Sequence, residues 1–198
     1  MIDLLQNVQR PSHHIRLGNH FLKDLNWWLL FLRDCDGKSM FYDKQWLTSS
    51  CLHLYTDACT KLFGAMFGDS WLCDTFDNVG IPNRRSITFK ELFAITMATT
   101  VWATALASQK IVFHCDNKAV VHILTSGTSK CRHIMTLLCY LFYICCKFNV
   151  VLKAVHIPGI ENAPSDALSH LQVARFRDLV PHAKDTPTPV QCLPLDFK

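Results

Sequence analysis

Between about Thr48 and Asp178 the apolar residues change spacing repeatedly, and this alternation constrains the fold more than any other feature. Cys51–Asp57 (CLHLYTD), Leu62–Phe67 and Trp71–Phe76 read as three strands, the last two joined across Gly68-Asp69, a hairpin signal. Helix-spaced and strand-like segments then follow in turn. The pattern predicts a long helix from Thr88 to about Ser108, a strand over Lys110–Asp116 and a short helix from Lys118 to about Leu124. A helix from Arg132 to about Phe148 and a strand over Val150–Ile157 come next. A last helix runs from Pro164 to about Arg177, with proline well placed in its first turn. The order βββαβααβα implies an α/β domain: a mixed sheet with helices packed on it.

Two flanking pieces differ from this domain. Residues 1–47 read as a small helical segment, clearest over Asn19–Arg33, where Phe21, Leu22, Leu25, Trp28, Leu29 and Leu32 recur at helical spacing and Asp34 to Gly37 end the run. Trp27, Trp28, Leu29 and Phe31 cover nearly all sides of that helix, which predicts an exposed apolar patch. Residues 179–198 hold four of the 8 prolines and are expected to be extended and poorly ordered.

Composition narrows the function classes. Hydrophobic residues are 49% and charged residues 18%, which excludes wholesale disorder. The net charge of +4 permits a nucleic-acid partner without demanding one. Ten cysteines suggest disulfides, but no secretory signal precedes them and several sit in apolar runs, such as Cys139, Cys145 and Cys146. They read as reduced and buried, in an intracellular protein of cytoplasm or nucleus. No C-x-x-C pair offers a zinc site. Neither uncharged run reads as a membrane span: Ile134–Cys146 is too short, and Leu92–Gln109 carries threonines, a serine and a glutamine.

Four acids stand at element ends: Asp57, Glu91, Asp116 and Asp166. Glu91 shares a helix face with Ile95, Ala98, Trp102 and Ala105, so it points toward the sheet, where an unpaired charge is costly. Acids converging on one cleft repel each other, and a hard divalent cation such as Mg²⁺ relieves that. Each acid alone also has a local explanation. Thr88-x-x-Glu91 is a capping-box pattern, Asp166 suits a helix macrodipole, and Asp57 and Asp116 suit strand-end turns.

The stretches TDA at 56–58, KELFAI at 90–95, FHCDNKAVV at 113–121 and AVHIPGIENAPSDALSH at 154–170 resemble the ribonuclease H (RNase H) domain of retroelement polymerases, closest to the DIRS-type tyrosine-recombinase retrotransposons. The resemblance covers about residues 48–172. RLGNHFLKDLNWWLLFL with the following DGKSMF resembles the end of the reverse transcriptase that precedes RNase H in those polyproteins, though no Y-x-D-D type polymerase motif occurs. The resemblance implies a five-stranded mixed sheet flanked by helices. It implies Asp57, Glu91, Asp116 and Asp166 as catalytic ligands of two Mg²⁺ ions, with Mn²⁺ as a substitute. The implied activity is cleavage of the RNA strand of RNA–DNA hybrids, leaving 3′-hydroxyl and 5′-phosphate ends. The implied partners are the hybrid and the absent palm and thumb of the reverse transcriptase, with no membrane and no small-molecule cofactor.

Asn117, Lys118, Ser126, Thr128, Ser129, Lys130 and Arg132 are candidate contacts to the hybrid, or an ordinary polar loop. Three positions depart from the family pattern: Cys59 for serine, Ser165 for alanine and His170 for arginine. His156 reads as a strand histidine with no catalytic part. The alternative function is a truncated, inactive relic acting as a nucleic-acid-binding or assembly domain. Another nuclease or integrase of the same superfold is disfavoured by the segment carrying Asp166.

Overall fold

The structure, a computed structural model, describes residues 12, 14, 16–34, 46–48 and 54–195. The chain forms two compact units, Met1–Lys38 and Ser39–Lys198. In the first, helix α1 spans Asn19–Asp34. Trp27 stacks on Phe31 at 5.4 Å and Trp28 stands edge-on to both rings, while Trp28, Leu29, Leu30 and Leu32 are exposed. The DGKSMF stretch and the start of the first expected strand, residues 51–53, lie outside the described residues.

The second unit runs β1 (Trp46–Thr48), β2 (Leu54–Ala58), β3 (Leu62–Phe67), β4 (Ser70–Thr75), α2 (Ile87–Val101), β5 (Lys110–Cys115), α3 (Lys118–Ser126), α4 (Arg132–Lys147), β6 (Val151–His156), a 3₁₀ turn (Gly159–Asn162), α5 (Ala163–Ser169) and α6 (Val173–Leu179). Instead of one five-stranded sheet there are two three-stranded sheets, β1-β5-β6 and β2-β3-β4. The first is parallel and the second an antiparallel meander. Strand β1, from a stretch assigned above mostly to the N-terminal piece, pairs with the first half of β5, Lys110–Val112. Strand β2 runs beside β5 with no ladder between them. The Thr56 carbonyl accepts instead from Asn162 Nδ2 at 3.0 Å.

The meander is buried on both faces, which explains the nearly unbroken apolar run of β3. Phe63 and Ala65 meet α2, while Met66 and its neighbour Trp71 meet α5 and α6. Phe63, Phe76 and Phe93 pack with centroids 5.2–5.8 Å apart. Helix α2 is buried from Phe89 to Thr99 and has no polar face. Its threonines satisfy their hydroxyls within the helix: Thr96, Thr99 and Thr100 donate to carbonyls one turn back at 2.7–2.8 Å. None of the described helices is long and apolar enough to cross a membrane.

Three element boundaries differ from expectation. Helix α2 begins earlier, because Ser86 caps it by accepting from Phe89 N, and ends at Val101 rather than near Ser108. The expected last helix is two helices, broken where Leu171 adopts φ 55° and Gln172 N donates back to Ala167 O. The proline-rich tail has no helix or strand beyond Leu179, yet its described part is fastened along β4. Lys184 N donates to Asp69 O, Thr188 N to Trp71 O, and Trp71 Nε1 to Lys184 O, while Leu193 is buried. Proline has no N–H for a ladder, so the tail covers a sheet edge without extending the sheet.

Candidate active site

Three of the four acids come together where β2, β5 and α2 meet. Asp57 sits near the end of β2, Glu91 lies one residue past the first turn of α2, and Asp116 follows β5. Oxygens of Glu91 and Asp116 and the Cys115 thiol all lie within 4.8 Å of one another. Asp57 stands outside that tight group but close enough to act on Glu91 electrostatically. The Thr88–Glu91 capping box is not formed, because Ser86 takes the cap. The Glu91 carboxylate instead accepts from the backbone N–H of Ala58. Asp166, in the first turn of α5, is also in electrostatic reach of Asp57. Its own carboxylate is engaged by Arg175 Nη1 at 2.8 Å and lies 3.6 Å from His170 Nε2.

Burial makes these acids costly. It is the main cause that pushes the Asp57 carboxyl from 3.8 up to about 6; the Ser169 hydroxyl opposes this, while Asp116 and Asp166 add to it. Glu91 is pushed from 4.5 up to about 9, by burial first and then by Asp57 and Asp116. The site therefore holds protons or awaits a cation. Its donors fit a hard divalent ion: carboxylate oxygens from Glu91 and Asp116, with Asp57 and Asp166 beside them. The Cys115 thiol is pushed up to about 12 by burial, so it stays protonated and is a wall rather than a ligand for such an ion.

One backbone feature places α5. Gly64 pairs with Asp57 across β2 and β3, and a Cβ on Gly64 would collide with Leu168 Cβ and lie 2.9 Å from Ser169 N. The missing side chain lets α5 lie against the sheet, so that Ser169 donates to Asp57 Oδ2. Ser165 donates to Asn162 Oδ1 at 2.7 Å, and Asn162 in turn holds Thr56 O, so the departure from alanine ties the Asp166 segment to β2. Cys59 Sγ accepts from Lys61 N and Leu62 N at 3.4 and 3.3 Å, a turn-forming role that serine also fills. His156 is exposed at the end of β6.

The expected nucleic-acid contacts divide into two kinds. Asn117 caps α3, accepting from Ala119 N and Val120 N, and the Ser129 hydroxyl accepts from Cys131 N. These two shape the loop. Lys118, Ser126, Thr128, Lys130 and Arg132 are exposed, and His122, Ile123, Thr128, Ser129 and Lys130 line an open groove.

Sequence reasoning missed Ser169, Cys115, Gly64 and Arg175. Ser169 was within reach, since it lies three residues after Asp166 on the same helix face. Cys115 is the neighbour of Asp116, Arg175 reaches Asp166 across the break between α5 and α6, and Gly64 alone depends on a contact between distant segments.

No protein-family model and no curated protein matches the sequence. Solved structures do. The RNase H1 of the halophilic archaeon Halobacterium salinarum NRC-1 superposes with a TM-score of 0.50 at 17% identity, over 66% of this chain and 98% of that one. The N-terminal RNase H domain of rv2228c from Mycobacterium tuberculosis, solved as a fusion with maltose-binding protein, gives 0.47 at 13% identity, over 69% of this chain and 100% of that one. The archaeal likeness shows an RNase H-like α/β fold.

Proposed function

We propose that the chain is a metal-dependent endonuclease that cleaves the RNA strand of RNA–DNA hybrids, as the RNase H part of a retrotransposon reverse transcriptase. The observation that carries this reading is the burial of Asp57 and Glu91 beside Asp116, on a fold shared with RNase H1. Buried acids facing one another cost stability, and no lysine or arginine of the described residues forms an ion pair with these three. A relic that only bound nucleic acid would gain stability by losing them. The motif resemblance around all four acids and the apolar α1 support the polyprotein setting, with palm and thumb as partners.

Bound Mg²⁺ would supply an activated water and neutralise charge at the leaving 3′-oxygen. Glu91 and Asp116 would hold it, with Asp57 and Asp166 completing the set. The protein's own residues prepare this arrangement. Ser169 holds the Asp57 carboxylate in one orientation. Asn117 fixes the start of α3 immediately after Asp116. Arg175 occupies the Asp166 carboxylate, which would have to leave that ion pair to help hold an ion. None of the acids needs to act as a nucleophile.

The test is cleavage of a labelled RNA–DNA hybrid with Mg²⁺, beside duplex RNA and duplex DNA, by the full chain and its Asp116→Asn variant. The reading expects cut RNA in the hybrid alone and none from the variant, because an amide cannot supply the charge that holds a divalent ion. Equal cutting by the folded variant, or no preference for the hybrid, would overturn it.

A further inference from the structure

Among the described residues Lys90 is the only buried basic side chain, 1% exposed, and it is the neighbour of Glu91 in α2. The positions around it show what the core accepts there: Phe89, Leu92 and Phe93 are apolar and buried. An ammonium removed from water costs free energy unless its donors are met. No carboxylate of the described residues lies within ion-pair distance of it. Its nitrogen donates instead to two backbone carbonyls, Thr60 O and Asn83 O, the second at 3.2 Å. It also stands 4.9 Å from the centroid of the Phe76 ring. A methionine of similar volume would avoid the desolvation, so packing alone does not account for a lysine here.

Its partners belong to the segments that carry the acids. Thr60 lies in the turn after β2, closed by Cys59 N donating to Leu62 O at 2.9 Å. Glu91 accepts from the N–H of Ala58, two residues earlier. Successive residues of α2 thus hold both kinds of backbone group in one short stretch: Glu91 takes the donor at 58, and Lys90 donates to the carbonyl at 60. Asp57 stands immediately before that stretch. Asn83 belongs to the lead-in of α2, and its side-chain amide donates to Asp77 Oδ1 at 3.2 Å. Phe76 N donates to Lys61 O at 3.0 Å, which fixes the chain leaving β4 to the same turn. The ammonium therefore sits where the end of β2, the end of β4 and the start of α2 meet. Asp57 and Glu91 repel each other when both are ionised, and that repulsion acts to part β2 from α2. The Lys90 contacts oppose it across the same junction.

We propose that Lys90 is a positioning residue of the acidic site: its ammonium fastens the turn after Asp57 to the start of α2 and so keeps Asp57 beside Glu91. The inference rests on the proposed nuclease reading only for the divalent ion that those acids would hold. Lys90 forms no ion pair with either acid and acts through the backbone of residues 58–60. Groups that orient metal-holding side chains in this way change metal affinity about 10–100-fold when they are removed. Loss of Lys90 should therefore open one junction and weaken the ion site, without opening the rest of the domain to the same degree.

The experiment compares the full chain with its Lys90→Met variant, which keeps the apolar stem and removes the donors. Leu106→Ala is the control: it cuts a cavity in the core at the opposite end of β5 from Asp116. Amide hydrogen exchange in EDTA reads the junction without any metal. Lys90→Met should speed exchange at Ala58, Cys59 and Phe76 by a larger factor than at the β5 amides, whereas Leu106→Ala should not single those three out. Calorimetric titration with Mg²⁺ then reads the site, and Lys90→Met should bind the ion about 10–100-fold more weakly while Leu106→Ala binds it as the wild type does. Circular dichroism confirms that each variant is folded. If Lys90→Met does not fold, Lys90→Gln, a shorter side chain that keeps its donors, is read in the same way. Equal acceleration at the junction and in β5 would make Lys90 a general stabiliser and overturn the proposal. Wild-type Mg²⁺ affinity in a variant whose junction has opened would overturn it as well. A wild-type chain that binds no Mg²⁺, with the junction selectively opened in the variant, would sink the nuclease reading alone.

Discussion

Replacing Glu91 by glutamine removes a buried carboxyl whose proton is held up to about pH 9 in the metal-free fold. The unfolded chain releases that proton near 4.5. Between those values the folded state binds more protons, so the group's stabilising contribution is full below the lower value and is lost as pH rises toward the upper one. The loss is about 1.4 kcal/mol per pH unit. Asp57 adds a second slope, but only up to about pH 6. From about pH 6 to 8 the wild type should therefore lose about 2.7 kcal/mol relative to Glu91→Gln. For a domain of this size that is about 5–10 °C in Tm. Thermal unfolding by circular dichroism in EDTA, at several pH values, reads the difference, and other titrating groups cancel between the two proteins. Parallel Tm curves would refute the buried, proton-holding Glu91. Saturating Mg²⁺ should flatten the wild-type slope, because the ion binds the ionised form.

Gly64→Ala should destabilise the domain by about 1–3 kcal/mol through overpacking against Leu168. Urea denaturation checks it, and wild-type stability would show that α5 does not need the close approach. Ser169→Ala should raise the Asp57 carboxyl further and move the acid limb of the pH–rate profile to higher pH; a limb that stays put or moves acid contradicts the orienting role. Arg175→Gln frees Asp166 from an exposed ion pair worth about 0.2–1 kcal/mol, so calorimetry should show Mg²⁺ binding tightened by up to about fivefold. Weaker binding would mean that Arg175 supports the site rather than competing in it.

The acids were legible because each sits in a short, local signal: TDA at a strand end, KE at a helix start, DN before a helix, PSD after proline. Their convergence follows from element order, since strands that end together bring their terminal residues together. The split of the sheet was not legible, because it depends on β1 pairing with β5 and on Asn162 taking Thr56 O across more than a hundred residues. The break at Leu171 was hidden for a different reason: leucine in the left-handed region carries no turn signal, and tertiary packing of α6 on Trp71 outweighs its propensity. Prolines suggested a loose tail, and composition alone could not reveal that Trp71 and Asp69 offer it hydrogen bonds.

The central claim is that the buried acids form a metal-holding nuclease centre. The rate of RNA-strand cleavage in an RNA–DNA hybrid, measured against Mg²⁺ concentration for the full chain and for Glu91→Gln, tests it most directly. The account predicts no cleavage in EDTA, a rate that rises and saturates with Mg²⁺, 3′-hydroxyl and 5′-phosphate products, and loss of cleavage in the folded variant. Cleavage without divalent metal, or a variant as fast as the wild type, would contradict it.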